Sequence, residues 1–239
     1  MTRDDAWREG RLLARPAGGL AGTAPVGLRP LGAARDGYLY VPPTYREGSP
    51  APLAVLLHGA GEDARDGLAL LRAQADATGL VLLALASHEY TWDLIAGRRY
   101  GPDVAAIDRA LEHVFSLCAV DPGRIAVGGY SDGASYALSL GIGNGDLFSH
   151  VLAFSPGFLA PPGQRGLPRF YLSHGTHDRW LPIERCSRVI VPQLERAGYE
   201  VRYREFEGGH VVPPAIGGEA AGWFAAARGR DPARMPGRS

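Results

Sequence analysis

The sequence predicts an α/β protein: a mostly parallel central sheet with helices on both faces. Three observations carry the prediction. Apolar runs such as Leu53 to Leu57 and Leu80 to Ala86 have the pattern of strands buried on both faces. Between such runs lie stretches whose apolar residues recur at helical spacing, such as Val104, Ile107, Leu111, Val114 and Phe115. Buried strands that alternate with helices build a parallel sheet wrapped on both sides.

The elements follow in order. Residues 1–35 are rich in Gly, Ala, Pro and Arg and read as an N-terminal extension, weakly structured or forming an edge element. A domain is expected over 36–228. It starts with the strand Asp36 to Pro43, whose alternation stops at two prolines, followed by the buried strand before His58. Leu68, Leu71 and Ala75 mark a helix over 64–78, and Leu80 to Ser87 is the next buried strand. Gly101-Pro102-Asp103 starts the helix that carries the Val104–Phe115 stripe. Asp121-Pro122-Gly123 is a turn, Arg124 onward a strand, and Ser131 to about Ile142 a small-residue helix. Strands are expected at His150 to Ser155 and Arg169 to Gly175, a helix over 181–197, and a half-exposed edge strand at Tyr199 to Phe206. A helix from about Pro214 to Ala227 ends the domain, and 229–239 reads as a frayed tail.

Composition excludes several classes. Lys+Arg and Asp+Glu both number 25 in 239 residues, so the zero net charge asks for neither nucleic acid nor an anionic membrane. No apolar run approaches the ~20 residues of a membrane span. The N-terminus, MTRDDAWREG, lacks the apolar core of a signal peptide, so a soluble cytoplasmic protein, monomer or homodimer, is expected. Cys118 and Cys186 are far apart and read as buried free thiols. No His, Cys or carboxylate cluster has metal-ligand spacing and no phosphate loop is present, so neither metal nor cofactor is expected.

Parallel sheets carry their working residues on loops at the carboxyl ends of the strands. The loop Gly129-Tyr130-Ser131-Asp132-Gly133 sits between a strand and a helix. A strand that bends sharply into a helix crowds the positions two before and two after the bend, so both must be small. The bend leaves Ser131 Oγ exposed at a helix N-terminus, although a glycine-rich turn alone gives the same string. The loop from Ser173 to Asp178 offers a carboxylate, Asp178, which as a helix N-cap would serve structure alone. The loop from Glu207 to Pro214 offers His210 as a base, where a surface histidine is the alternative. Together they supply nucleophile, orienter and base in the order Ser131, Asp178, His210. The backbone N–H groups of Ala60 and Asp132 are the expected oxyanion donors, and His58 is expected to hold its own loop by hydrogen bonds. Tyr90, Trp92, Phe158, Trp180 and Val211, with Leu159, fall on loops at the same end and either line an acyl pocket or join the core. His177 is expected to be exposed, and His88, His113 and His150 receive no chemical role.

The blocks LLHGAGED, TWD, GGYSDGAS, HGTHDRWLP and FEGGHVVPP resemble the α/β-hydrolase superfamily, and within it the phospholipase/carboxylesterase group that includes acyl-protein thioesterases. They span about residues 36 to 225. The resemblance implies the α/β-hydrolase fold, with Ser131 as nucleophile, His210 as base and Asp178 as orienter. It implies a small-molecule ester as substrate, cleaved through an acyl-enzyme. Thioesterases of the group carry glutamine after the nucleophile, and this chain has Asp132. The GYSDGA string also looks like feruloyl esterases and polyester depolymerases, so thioester, feruloyl-ester and polyester cleavage stay open. So does a non-catalytic binding protein on the same fold.

Overall fold

The computed structural model describes residues 2–16, 24–32 and 37–226. The expected tail over 229–239, and the end of the last helix near residue 227, lie outside the described residues.

Eight strands form one sheet: β1 (Gly27–Pro30), β2 (Gly37–Val41), β3 (Ala51–Leu57), β4 (Val81–Leu85), β5 (Val120–Tyr130), β6 (His150–Phe154), β7 (Arg169–Gly175) and β8 (Val201–Phe206). Their order is β1-β2-β4-β3-β5-β6-β7-β8. The first two pairings, β1 with β2 and β2 with β4, are antiparallel; every later pairing is parallel. The helices are α1 (Arg3–Arg8), α2 (Ala64–Thr78), α3 (Asp93–Ala96), α4 (Pro102–Leu117), α5 (Asp132–Gly143), α6 (Ser187–Arg196) and α7 (Pro214–Ala226).

Strand periodicity divides the core into two layers. Leu53, Val55 and Leu57 of β3 face the same cluster as Val104, Ile107 and Leu111 of α4, Leu140 of α5 and Ile190 of α6. Ala54 and Leu56 face the other, with Leu68 and Leu71 of α2 and Phe224 of α7. β3 is buried along its whole length, as a strand covered on both faces must be. Burying a leucine stabilises by roughly 2 kcal/mol, so this strand is a main anchor of the fold. By contrast β8 alternates in burial at the edge, as its sequence predicts.

Local chemistry sets the helix ends. Asp63 caps α2 by accepting from Arg65 N and Asp66 N, and Gly79 ends it in the left-handed conformation. Pro102 opens α4 at a position whose N–H would have no helical partner. Two expectations change. The helix expected over 181–197 begins only at Ser187, because residues 182–186 close single turns, Arg185 N to Pro182 O and Cys186 N to Ile183 O. β5 begins at Val120, before the Asp121 turn: pairing jumps from Ala51↔Val120 to Leu53↔Ile125, so the turn is absorbed as a bulge. Asp121 Oδ1 still accepts from Gly123 N at 2.9 Å.

The first residues are docked onto α4. Buried Asp108 accepts from Leu13 N (2.7 Å), Ala14 N (2.8 Å) and Trp7 Nε1 (2.9 Å). Asn144, after α5, accepts from Leu12 N and donates to Gly10 O. Cys118 and Cys186 are both free and buried. Among the described residues no helix is long and apolar enough to cross a membrane.

Candidate active site

The carboxyl ends of β5, β7 and β8 bring Ser131, Asp178 and His210 together. Ser131 ends the strand and caps α5 with φ 56° and ψ −117°, a strained conformation for a residue with a side chain. Its N–H is held by Phe154 O at 2.9 Å, and its own carbonyl accepts from Ser135 N. The bend forces its flanking glycines. A Cβ on Gly129 would lie 2.4 Å from Gly133 O, and one on Gly133 would lie 2.3 Å from Leu57 O. Both clashes are with backbone, which has nowhere to move.

Ser131 Oγ is 2.8 Å from His210 Nε2, and His210 Nδ1 is 2.5 Å from Asp178 Oδ2. A carboxylate only accepts, so Nδ1 carries the proton and Nε2 is left to accept from the serine hydroxyl. The Asp178 side chain is fully buried. Its Oδ1 accepts from Trp180 N and Leu181 N, each at 2.9 Å, so it also caps the turn that leads to α6. The catalytic and the capping readings of Asp178 therefore describe two oxygens of one side chain. His210 is fixed at its backbone: Tyr130 Oη donates to His210 O at 2.6 Å, and the two rings lie 4.9 Å apart. Burial pushes the Tyr130 phenol up to about 12, so it stays a donor.

His58 is a structural ring. Its buried imidazole meets Gly59 O through Nδ1 (2.6 Å) and accepts from Ser87 N through Nε2 (2.9 Å). Glu62 takes the N–H of Gly59, bracing the same turn. The N–H groups of Ala60 and Asp132 have no hydrogen-bond partner among the described residues. Asp132 Oδ2 accepts from Thr91 Oγ1 at 2.7 Å, so that carboxylate is engaged by the TWD block.

Among the expected pocket residues, Tyr90, Trp180 and Val211 are exposed, and Phe158 stands at 36%. Tyr90 packs its ring against Gly61, where a Cβ would come within 2.7 Å of it. Trp92 corrects the expectation: it is 1% exposed and belongs to the core. Its indole donates to His58 O at 2.9 Å and stacks on Tyr136 at 5.2 Å, which supports the loop from below. Leu159 is likewise packed against the core. His177 is exposed, whereas His150 is buried edge-on against Trp223 and Phe224. A cavity of about 790 Å³ lies elsewhere, lined by Trp7, Leu31, Leu85, Ala105 and Arg109 among others, and none of the expected pocket residues borders it. Among the described residues no cluster of three or more His, Cys, Asp or Glu side chains is placed to hold a metal ion.

Sequence reasoning passed over three residues. Tyr130 is the variable position of G-x-S-x-G, and only the fold reveals its reach to His210. Ser135, one turn into α5, takes the N–H of Gly157 on its hydroxyl and so ties the β6 loop to the nucleophile's helix. His174 lies 3.2 Å from Asp178. Its signal was the first histidine of the SHGTHD block, four residues before Asp178.

No protein-family model and no curated protein matches the chain. Solved structures do. Esterase PE8 is 22% identical, with 83% of this chain and 98% of that one covered, at a TM-score of 0.63. The S-formylglutathione hydrolase of Staphylococcus aureus is 14% identical over 87% of this chain and 100% of that one, at 0.66. The Bacillus cereus carboxylesterase is 19% identical over 81% and 94%, at 0.60. With this sheet order, its two-sided helical cover and these likenesses, the chain has the α/β-hydrolase fold.

Proposed function

We propose that this protein is a serine hydrolase that cleaves carboxylic esters. The observation that carries the reading is the relay from Ser131 Oγ through His210 to Asp178, at 2.8 and 2.5 Å, set on a strained serine. In it His210 Nε2 takes the hydroxyl proton as Oγ attacks the ester carbonyl. Asp178 holds the ring in the required tautomer and stabilises its cation. The N–H groups of Ala60 and Asp132 receive the developing oxyanion, a role open to donors that nothing else occupies. The alcohol leaves with the proton from His210, and water activated by the same ring releases the acyl group. No step draws on a metal or an organic cofactor.

Exposed Tyr90, Phe158, Trp180 and Val211 are read as the substrate-binding rim. The proposal places the chain, as a monomer or homodimer, in the cytoplasm, where two free buried thiols are at home. It assigns the chain to the phospholipase/carboxylesterase group on its motif blocks. A thioester is the second reading, favoured by one neighbour whose name gives S-formylglutathione as its substrate. A chain-length series of p-nitrophenyl esters run beside acyl-thioesters ranks the two, and higher kcat/KM on esters is expected. Hydrolysis by Ser131→Ala at the wild-type rate would end both readings.

A further inference from the structure

We propose that His174 is a positioning residue for the Asp178 carboxylate, through a clamp on the turn that carries it. This inference rests on the reading of Ser131, His210 and Asp178 given above. His174 is the penultimate residue of β7, and its side chain is fully buried. Its Nε2 is 2.8 Å from Leu181 O and 3.2 Å from Asp178 Oδ2. Both neighbours are acceptors only, so Nε2 carries the proton. Nδ1 must then accept, and Ser187 Oγ stands at 2.7 Å as the donor.

These contacts close a ring. Asp178 Oδ1 takes the N–H of Leu181, and His174 takes the carbonyl of the same residue. The turn from Asp178 to Leu181 is thus pinned at the two successive peptide groups on either side of Leu181, with Ser187 of α6 holding the ring through Nδ1. The mechanism needs Oδ2 directed at His210 Nδ1, while Oδ1 is fixed by backbone. His174 limits rotation of the carboxylate as a second donor beside Oδ2, 3.2 Å away. Burial depresses the affinity of His174 for a second proton. The ring therefore serves as a neutral donor and leaves the negative charge of Asp178 available to the cation that forms on His210.

The test compares the full-length protein with His174→Leu, His174→Gln and Ser187→Ala. Glutamine can present an N–H near the position of Nε2; leucine cannot. The proposal expects His174→Leu to lower kcat on p-nitrophenyl butyrate about tenfold or more, with KM within about twofold, as loss of a hydrogen bond near a charged group implies. His174→Gln is expected to recover to within about threefold of wild type, and Ser187→Ala to lose less than His174→Leu in the same direction. A second readout needs no turnover: the far-downfield proton resonance of His210 Nδ1–H, identified by its loss in His210→Ala. It should disappear in His174→Leu and persist in His174→Gln. A wild-type resonance in His174→Leu, or equal losses in the leucine and glutamine variants, would overturn the proposal. Should His174→Leu fail to fold, wild-type kcat in Ser187→Ala combined with poor rescue by His174→Gln would overturn it as well. An inactive wild type with an intact resonance would instead overturn the functional reading alone.

Discussion

Two buried aspartates in this molecule have nearly the same surroundings and different consequences. Asp108 accepts two backbone N–H groups on Oδ1, from Leu13 and Ala14, and the ring N–H of Trp7 on Oδ2. Asp178 accepts two backbone N–H groups on Oδ1, from Trp180 and Leu181, and the ring N–H of His210 on Oδ2. Both side chains are fully buried. The difference lies in the fourth partner and in what the ring can do. Asp108 has the permanent charge of Arg3 at 3.2 Å, and its indole has no second nitrogen. Asp178 has His174, held neutral by its burial, and an imidazole whose far nitrogen meets a serine hydroxyl. One shell is a latch for the N-terminal segment; the other is arranged to move a proton. A carboxylate's coordination therefore does not identify its role. The proton-transfer capacity of its ring partner does.

Swapping each carboxylate for its amide separates the two roles most sharply. Asp178→Asn is expected to lower kcat on the order of 10³- to 10⁴-fold, because the amide favours the wrong histidine tautomer. Asp108→Asn should leave kcat within about threefold, since Asp108 belongs to no step of the proposed reaction. Steady-state kinetics of both variants checks this, and a comparable loss in Asp108→Asn would break the comparison.

Stability reports the latch formed by Asp108. Asp108→Ala strands the N–H groups of Leu13, Ala14 and Trp7, at an expected cost of about 3 kcal/mol. For a chain of this size that is a fall in Tm of roughly 10 °C, measured by calorimetry. Faster proteolysis near residues 9–16 should accompany it. An unchanged Tm would deny the latch.

The fourth partners differ in pH response. Burial holds the pKa of His174 below its ordinary value of 6.5, so the unfolded chain binds its proton first as pH falls. The increment of stability is complete above about pH 6.5 and is lost as pH falls toward the folded value. Tm should therefore decline between pH 7.5 and 5.5, and His174→Gln should flatten that decline. An identical slope in the variant would contradict this sign. A modest effect is expected of Tyr130→Phe, which frees the His210 carbonyl and should lower kcat about three- to tenfold, a hydrogen bond's worth.

Much of this was legible in the sequence, for local reasons. Each triad residue follows a strand and has a glycine within three positions, and glycine is needed where backbone meets backbone, as at Gly129 and Gly133. What was not legible depends on partners far along the chain. Asp108 is a polar position on an amphipathic helix, and its partners lie some hundred residues earlier. Trp92 sits within a motif block on a loop, so the sequence leaves pocket lining and core equally open for it. Its burial follows from stacking on Tyr136, on another helix. The late start of α6 has the opposite origin: local turns after Pro182 override a helical pattern that continues through them.

The central claim is that Ser131 Oγ is a nucleophile activated by His210. A fluorophosphonate probe tests it most directly, with the labelled residue located by peptide mass spectrometry. The account predicts one phosphonyl group per chain, on Ser131, with labelling abolished in Ser131→Ala and strongly slowed in His210→Ala. Full labelling of Ser131→Ala, or an unlabelled wild-type protein, would contradict it.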